Sequence, residues 1–346
     1  MAKNKKTKTD GGAITHPQLK RTIIVGVGGG GNNTVNRLIR NGVSGCEFIA
    51  INTDLTHLNF IHQNARKILI GESTCNGQGA EGDIEKAAQA ATGEADRLEN
   101  ELQNARLVFV CAGLGGGTGT GAAPVIAEIA RKNGAHVVAC VTCPFNLERG
   151  RMANAKAGLE QLRQRCDAVI VLDNNRLSAL VPNLPMNEAF AIADEMLAKA
   201  IGSIIYSIQK PSLLGFGFGG IRDVLAGGRI GFISIGEGKN TGKVQRSIEG
   251  VFNNHLLDAN SETATHAMVS ICGGDDFDAG GNGEDCGCHR GEDAENRNQM
   301  GRAPHSGIHW QRGSHLDCDG SGMARQIVAR WLFQDYRPRS GPRPLA

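Results

Sequence analysis

The chain has 346 residues, 40% of them hydrophobic, which suits about two domains with a substantial core. A formal net charge of +2 gives no charge-driven reason to bind nucleic acid, and the 48 glycines carry no collagen-like period. No stretch is apolar for long enough to span a bilayer, and no apolar run follows the basic start closely enough to make a signal peptide, so the sequence reads as cytoplasmic.

Residues 1–20 read as a solvated, disordered basic tail. Thr22–Val27 is an apolar strand, followed by Gly28, Gly29, Gly30, Gly31, Asn32 and Asn33. Thr34–Arg40 then reads as a helix stopped by Asn41-Gly42, and Glu47–Asn52 as the next strand. Such a βαβ unit has its glycine loop at the carboxyl end of the first strand. The pattern recurs further on: strand Leu107–Cys111, a loop of Gly115, Gly116, Gly117, Thr118, Gly119, Thr120 and Gly121, helix Ala122–Lys132 with Pro124 in its first turn, and strand His136–Thr142. Cys111 and Cys140 lie inside apolar strands, which predicts buried, reduced thiols. Cys166–Leu172 gives a further strand, and Met186–Ile208 a long central helix. Beyond a glycine-rich stretch at Leu214–Gly220, strand Gly231–Ile235, helix Lys243–His255 and strand Thr265–Cys272 begin a second α/β layer. Residues 277–346 are rich in Gly, Asp, Arg, His and Pro, with little period except near Ile327–Phe333. The predicted fold is α/β: a Rossmann-like domain with a mostly parallel sheet at 21–185, a central helix at 186–209, an incomplete second α/β domain at 210–276 and an atypical tail.

Glycine lets backbone N–H groups approach phosphate oxygens closely, and a helix N-terminus adds favourable partial charge. Thr118 and Thr120 add hydroxyls to the second loop. No P-loop lysine follows, so the site is not of Walker type. Gly26-x-Gly28-x-x-Gly31 also fits a dinucleotide fingerprint with Asp54 as the ribose acid. The plain alternative is a tight turn without ligand, and an NAD oxidoreductase is a further reading that the second loop opposes. Cys286-Gly-Cys288-His289, even with Cys272 or Cys318, is not a standard zinc pattern and reads as no metal site.

The heptapeptide Gly115–Gly121 resembles the signature of the tubulin/FtsZ superfamily, and the chain is similar to FtsZ cell-division proteins of archaeal type over about residues 21–276. Gly26–Asn33, Asn52-Thr-Asp54, Pro144-Phe145, Val181-Pro-Asn183 and Phe190–Glu195 share in the resemblance. It implies a GTP/GDP site, with Mg²⁺ accompanying the nucleotide, and a head-to-tail homopolymer in the cytoplasm at the division site. A membrane would be reached only through an unknown tether. Gly29–Asn33 and Gly115–Gly121 would hold the phosphates, with Ala80 and Gly82 in the loop that senses the γ-phosphate. Glu148 and Arg151 would lie near ribose and phosphates, Asn174 at guanine, and Phe190 stacked on the base. Asp194 would accept from guanine N1 and N2, two adjacent donors that adenine lacks.

Three departures stand against the resemblance. Glu81 occupies a position usually held by a small residue, and a carboxylate aimed at a triphosphate is repulsive, so Glu81 is expected to point to solvent. The acidic loop that one subunit inserts to activate water on its neighbour's nucleotide corresponds to Gly215–Gly220, where glycines stand at all three polar positions: Gly215, Gly217 and Gly220. Asp223 is the nearest substitute acid. Hydrolysis is therefore expected to be slow. Two alternatives follow, a non-hydrolysing regulator or scaffold co-assembling with an active relative, and a non-functional gene copy. Finally, the expected acidic helix and Trp-Gly-Ala strand are missing after Asp276. Shifted forward by one nucleotide, the codons of Met300-Gly301 must contain TGG, which encodes Trp, and Phe277-Asp278 and Gly280-Gly281 permit Leu-Thr and Glu-Glu. Residues from 277 onward thus read as the product of a frameshift. The gene's nucleotides test this: the shifted frame should spell Leu-Thr-x-Glu-Glu and then Lys-Trp-Gly-Ala, and an early stop in that frame overturns it.

Overall fold

The computed structural model describes residues 21–148, 150–175 and 185–209, then Val224, Arg246, residues 249–250 and four strands at 229–239, 266–273, 305–312 and 325–334. The strands are β1 Thr22–Val27, β2 Glu47–Asn52, β3 Arg66–Leu69, β4 Leu107–Gly113, β5 His136–Cys143, β6 Ala168–Asp173, β7 Arg229–Lys239, β8 His266–Gly273, β9 His305–Arg312 and β10 Arg325–Gln334. They join into one sheet in the order β3-β2-β1-β4-β5-β6-β7-β10-β8-β9. The first seven run parallel; β10 is antiparallel to both β7 and β8, and β9 is parallel to β8.

The apolar runs of β1 and β4 serve two cores at once. Ile23, Val25 and Val27 face one core and Ile24 the other; Val108 and Val110 face the first, Leu107, Phe109 and Cys111 the second. All are buried. This two-sided burial explains why the strands read as continuous hydrophobic stretches rather than alternating ones. Helices α4 (Ile84–Gly93), α5 (Ala95–Leu102), α6 (Gly117–Lys132) and α7 (Arg151–Arg165) cover the first face. Helices α1 (Gly28–Arg40) and α8 (Met186–Gln209) cover the second, α1 through Val35 and Leu38, α8 through Leu197, Ile201 and Ile204. Two short helices, α2 (Leu55–Asn59) and α3 (Glu72–Cys75), follow β2 and β3. Cys111 and Cys140 are free, buried and opposite each other in register, and burial pushes the Cys140 thiol well up.

The structure moves both glycine-loop helices earlier than the sequence suggests. α1 begins at Gly28 rather than Thr34, and α6 at Gly117 rather than Ala122. Pro124 therefore lies inside α6, where it has no N–H for the Thr120 carbonyl. Glycine is a poor helix former, but tertiary packing decides here. A Cβ on Gly31 would lie 2.0 Å from the Cys111 carbonyl oxygen, so only glycine lets α1 sit this close to β4. Gly28, at φ +70°, also needs a residue free to adopt the left-handed region.

Beyond residue 276, where the sequence suggests an atypical tail, the structure has two strands. The apolar stretch Ile327–Phe333 forms the middle of β10, which lies between β7 and β8. β9, sequence HSGIHWQR, is polar and sits at the sheet's edge, where a strand has no second neighbour and needs no apolar run.

Packing this tight separates the glycines. Gly31→Ala should lower the thermal unfolding midpoint sharply, by about 1–3 kcal/mol or more of overpacking. Gly116→Ala, with nothing within 4 Å of the added Cβ, should cost at most a few tenths to 1 kcal/mol of cap preference. Similar losses in both variants would contradict the packing account.

Candidate functional site

Strand β1 leads leftward to β2 and β3 in the sheet, while β4 leads rightward to β5 and β6. The carboxyl ends of β1 and β4 are thus the point where the strand order reverses, and open parallel sheets bind ligands in the crevice there. α1 leaves β1 at Gly28, and α6 begins shortly after β4 at Gly117. Neither helix has a side-chain cap on its first turn, so both present free backbone N–H groups to the crevice.

The two starts interlock. A Cβ on Gly28 would meet the Gly119 nitrogen at 2.9 Å, and one on Gly30 the Gly113 Cα at 3.1 Å. Gly116 has nothing within 4 Å, and Gly29 faces only His57. Gly116 and Gly29 therefore leave room for a ligand, whereas Gly28, Gly31 and Gly119 are small because backbones touch. The threonines brace this arrangement. Thr120 Oγ1 accepts from Gly115 N at 2.8 Å, and Thr118 Oγ1 lies 2.7 Å from Thr53 Oγ1. Asn32 is fully buried and donates from Nδ2 to Ile51 O at 3.2 Å, while Asn33 is exposed.

The segment Gly77–Asp83 packs on the first turn of α6, where a Cβ on Gly117 would meet Asp83 O at 2.9 Å and Ala80 Cβ at 3.0 Å. Asp83 caps α4, Ala80 is buried, and Gly82 offers its carbonyl to Asn154 Nδ2 at 3.2 Å. Glu81 is exposed, with φ at +52°, an uncommon conformation for a residue with a side chain. Asp54 is used locally, capping α2 by accepting from His57 N at 3.0 Å.

At the start of α7, Glu148 pairs with Arg151 and accepts from Phe145 N at 3.1 Å. A Cβ on Gly115 would lie 2.8 Å from Arg151 Cβ, so this ion pair stands against the second glycine turn. Phe190, 39% exposed, meets the buried Phe145 ring edge-on at 5.1 Å, which holds one face of an accessible ring in place. Asn174 is buried, and its Oδ1 has no partner among the described residues. A buried acceptor of this kind suits a donor from a ligand.

Asp194 lies on α8 and accepts from Thr34 Oγ1 at 3.0 Å. Burial raises its carboxyl to about 6, against the Thr34 hydrogen bond and the Arg37 charge, which both lower it. Thr34, Phe145, Thr53 and Asn154 had no assigned role in the sequence, since their contacts join segments far apart along the chain. Gly215, Gly217, Gly220, Asp223 and the Cys286–His289 cluster lie outside the described residues.

Two uncapped glycine helix starts at a sheet's switch point, with no P-loop lysine, characterise the tubulin-type nucleotide domain, and residues 21–182 match the GTPase domain of the tubulin/FtsZ family. In sequence the likeness is to "Cell division protein FtsZ 2" of Methanocaldococcus jannaschii, 46% identical over 260 residues that make up 74% of this chain and 68% of that one. "Cell division protein FtsZ 1" of Archaeoglobus fulgidus is 43% identical over 262 residues, 75% of this chain and 71% of that one. The chain belongs to the FtsZ family. The matched segments span about two thirds of these relatives' length, 65% for FtsZ 2 of Halobacterium salinarum. The solved "FtsZ dimer, empty" of M. jannaschii superposes with a TM-score of 0.78 at 32% identity, covering 94% of this chain and 95% of that one. A GTPγS-bound protofilament of CetZ2 from Haloferax volcanii, at 20% identity and a TM-score of 0.68, shares the fold over 90% of this chain and 92% of that one. No helix among the described residues is long and apolar enough to cross a membrane.

The Asp194 shift has a definite sign. Its folded value lies above the ordinary 3.8, so stability that is full below pH 3.8 is lost as pH rises through about 6. Ionised Asp194 costs the nucleotide-free protein on the order of 3 kcal/mol at neutral pH. Asp194→Asn should raise the unfolding midpoint at pH 7.5 and lose most of that gain by pH 4.5, while weakening guanine-nucleotide binding. A gain of equal size at both pH values would contradict it.

Proposed function

We propose that this protein binds GTP and GDP in the β1/β4 crevice, with Mg²⁺ accompanying the nucleotide, and assembles head to tail into filaments of the cell-division apparatus. The observation that carries the reading is the pair of uncapped helix starts on adjacent strands, one for each end of a polyphosphate. The first turns of α1 and α6 donate backbone N–H groups to phosphate oxygens. Ala80 and Gly82 border the γ-phosphate position. Phe190 stacks on the base, Asn174 Oδ1 accepts from it, and the ionised Asp194 accepts from guanine N1 and N2. Glu148 and Arg151 lie at the ribose and phosphates. Mg²⁺ supplies charge neutralisation between the phosphates.

Hydrolysis is slow on this reading. A head-to-tail contact is heterologous and gives open filaments, in which one subunit's 214–221 segment closes on the next subunit's nucleotide. That segment has glycine at 215, 217 and 220, so no carboxylate is available there to orient water. Loss of a general base costs about 10²–10⁴ in rate. The same glycines favour a second reading, a non-hydrolysing scaffold that co-assembles with an active relative. Both readings keep the protein in the cytoplasm at the division site, reaching the membrane only through a tether.

Sedimentation with GTP and with GDP, with phosphate release read from the same tubes, tests the proposal. GTP-dependent pelleting with little phosphate is the expected outcome. Turnover like that of an active relative would refute slow hydrolysis, and pelleting only when an active FtsZ is added would favour the scaffold.

A further inference from the structure

We propose that Thr34 is a positioning residue for base recognition: from the helix that begins at the phosphates, its hydroxyl fixes the plane of the Asp194 carboxylate so that both oxygens face the two donors of guanine. The inference rests on the guanine site described under Proposed function and deepens it.

Thr34 is 2% exposed, so its hydroxyl has no access to bulk water and must find its partner within the protein. Two acceptors are in reach: Asp194 Oδ1 at 3.0 Å, and the carbonyl of Gly30, one turn earlier on α1, at 3.4 Å. A hydroxyl has one hydrogen, and the nearer, charged acceptor takes it. That bond pins one carboxylate oxygen and with it the rotation about Cβ–Cγ. Guanine offers N1–H and N2–H side by side, whereas hypoxanthine offers N1–H alone. A freely rotating carboxylate can still meet a single donor. Meeting two at once requires a fixed plane, so Thr34 contributes to the choice of guanine rather than to nucleotide binding in general.

The bond is not what docks α8 on α1. That task falls to the neighbouring Glu195, which accepts from Asn41 Nδ2 at 3.2 and 3.3 Å and pairs with Arg37 at 3.6 Å, and to the apolar contacts of Val35 and Leu38. Among the described residues, Arg37 on α1 is the charged group acting on Asp194; it is shared with Glu195, which Lys199 on α8 also reaches at 3.9 Å. The Gly30 carbonyl, in the first turn of α1, is the alternative acceptor within reach of the Thr34 hydroxyl. When Asp194 is protonated, Gly30 O remains as an acceptor for it.

The test is titration calorimetry of the full chain with GDP and with inosine diphosphate, from pH 5.5 to 8, on the wild type, Thr34→Val and Thr34→Ser. The wild type should prefer GDP and lose that preference as pH falls through about 6. Thr34→Val should cut the preference about tenfold to a hundredfold, the effect of losing one hydrogen bond to a charged group. It should also move the pH midpoint upward, since the Thr34 bond lowers the Asp194 pKa. Thr34→Ser should restore both, and Thr34→Ala replaces the valine variant should that one not fold. A variant that loses GDP and inosine diphosphate affinity equally, with an unmoved midpoint, overturns the positioning role while the guanine site stands. A wild type that binds both alike overturns the guanine site and the positioning role together.

Discussion

The fold turns on the contact of backbone with backbone between two helix starts. α1 approaches β4 so closely that Gly31 leaves no room for a methyl group against the Cys111 carbonyl, and Gly28 packs on Gly119 of α6. Helices approach each other and a sheet this closely only when side chains are absent at the contact. The consequence is chemical as well as steric. With side chains removed, the N–H groups of two helix termini converge on one crevice, where their partial positive charges add. The sheet order makes this possible, because β1 and β4 are neighbours in space although five helices and two strands lie between them in the chain.

The other end of the site works through the opposite device. Where the two helix starts expose backbone, α8 holds the Asp194 carboxylate partly out of water, supported by one hydroxyl from α1. A charge kept in that setting is costly to the protein that holds it, and the cost is carried by the rest of the fold. The Phe145–Phe190 pair shows the same division: Phe145 is in the core, and Phe190 spends its exposure on a surface that a flat ring can cover.

Much of the first half was legible in the sequence. β1, β2, β4, β5 and β6 announce themselves because both their faces are buried. α7 and α4 do not, since their inner faces are built from small residues such as Ala155 and Gly158, or Ala87, Ala90 and Ala91, which give no large apolar stripe. The starts of α1 and α6 differ for a related reason: a run of glycines reads as loop by propensity, and only packing makes it helical, of α1 against β4 and of α6 against β4 and the start of α4. In the site, the glycine turns were visible from spacing, while Phe190 and Asp194 were visible only through resemblance. Thr34 was invisible, because its meaning lies in a residue 160 positions away. β9 carried no signal, being a polar edge strand.

The position of β10 bears on the order in which the chain acquires structure during synthesis. β7 and β8 are made first but do not touch; the strand that joins them, β10, comes from the far end of the sequence. The six strands β1–β6 and their covering helices can pair as they leave the ribosome, since every neighbour is already present. β7 gains one neighbour in β6 and then waits with its other edge unpaired until residue 325 and beyond emerge. An open strand edge is a template for foreign pairing. The nascent chain is therefore most exposed to misassembly after its nucleotide domain is complete, in the interval before β10 is made.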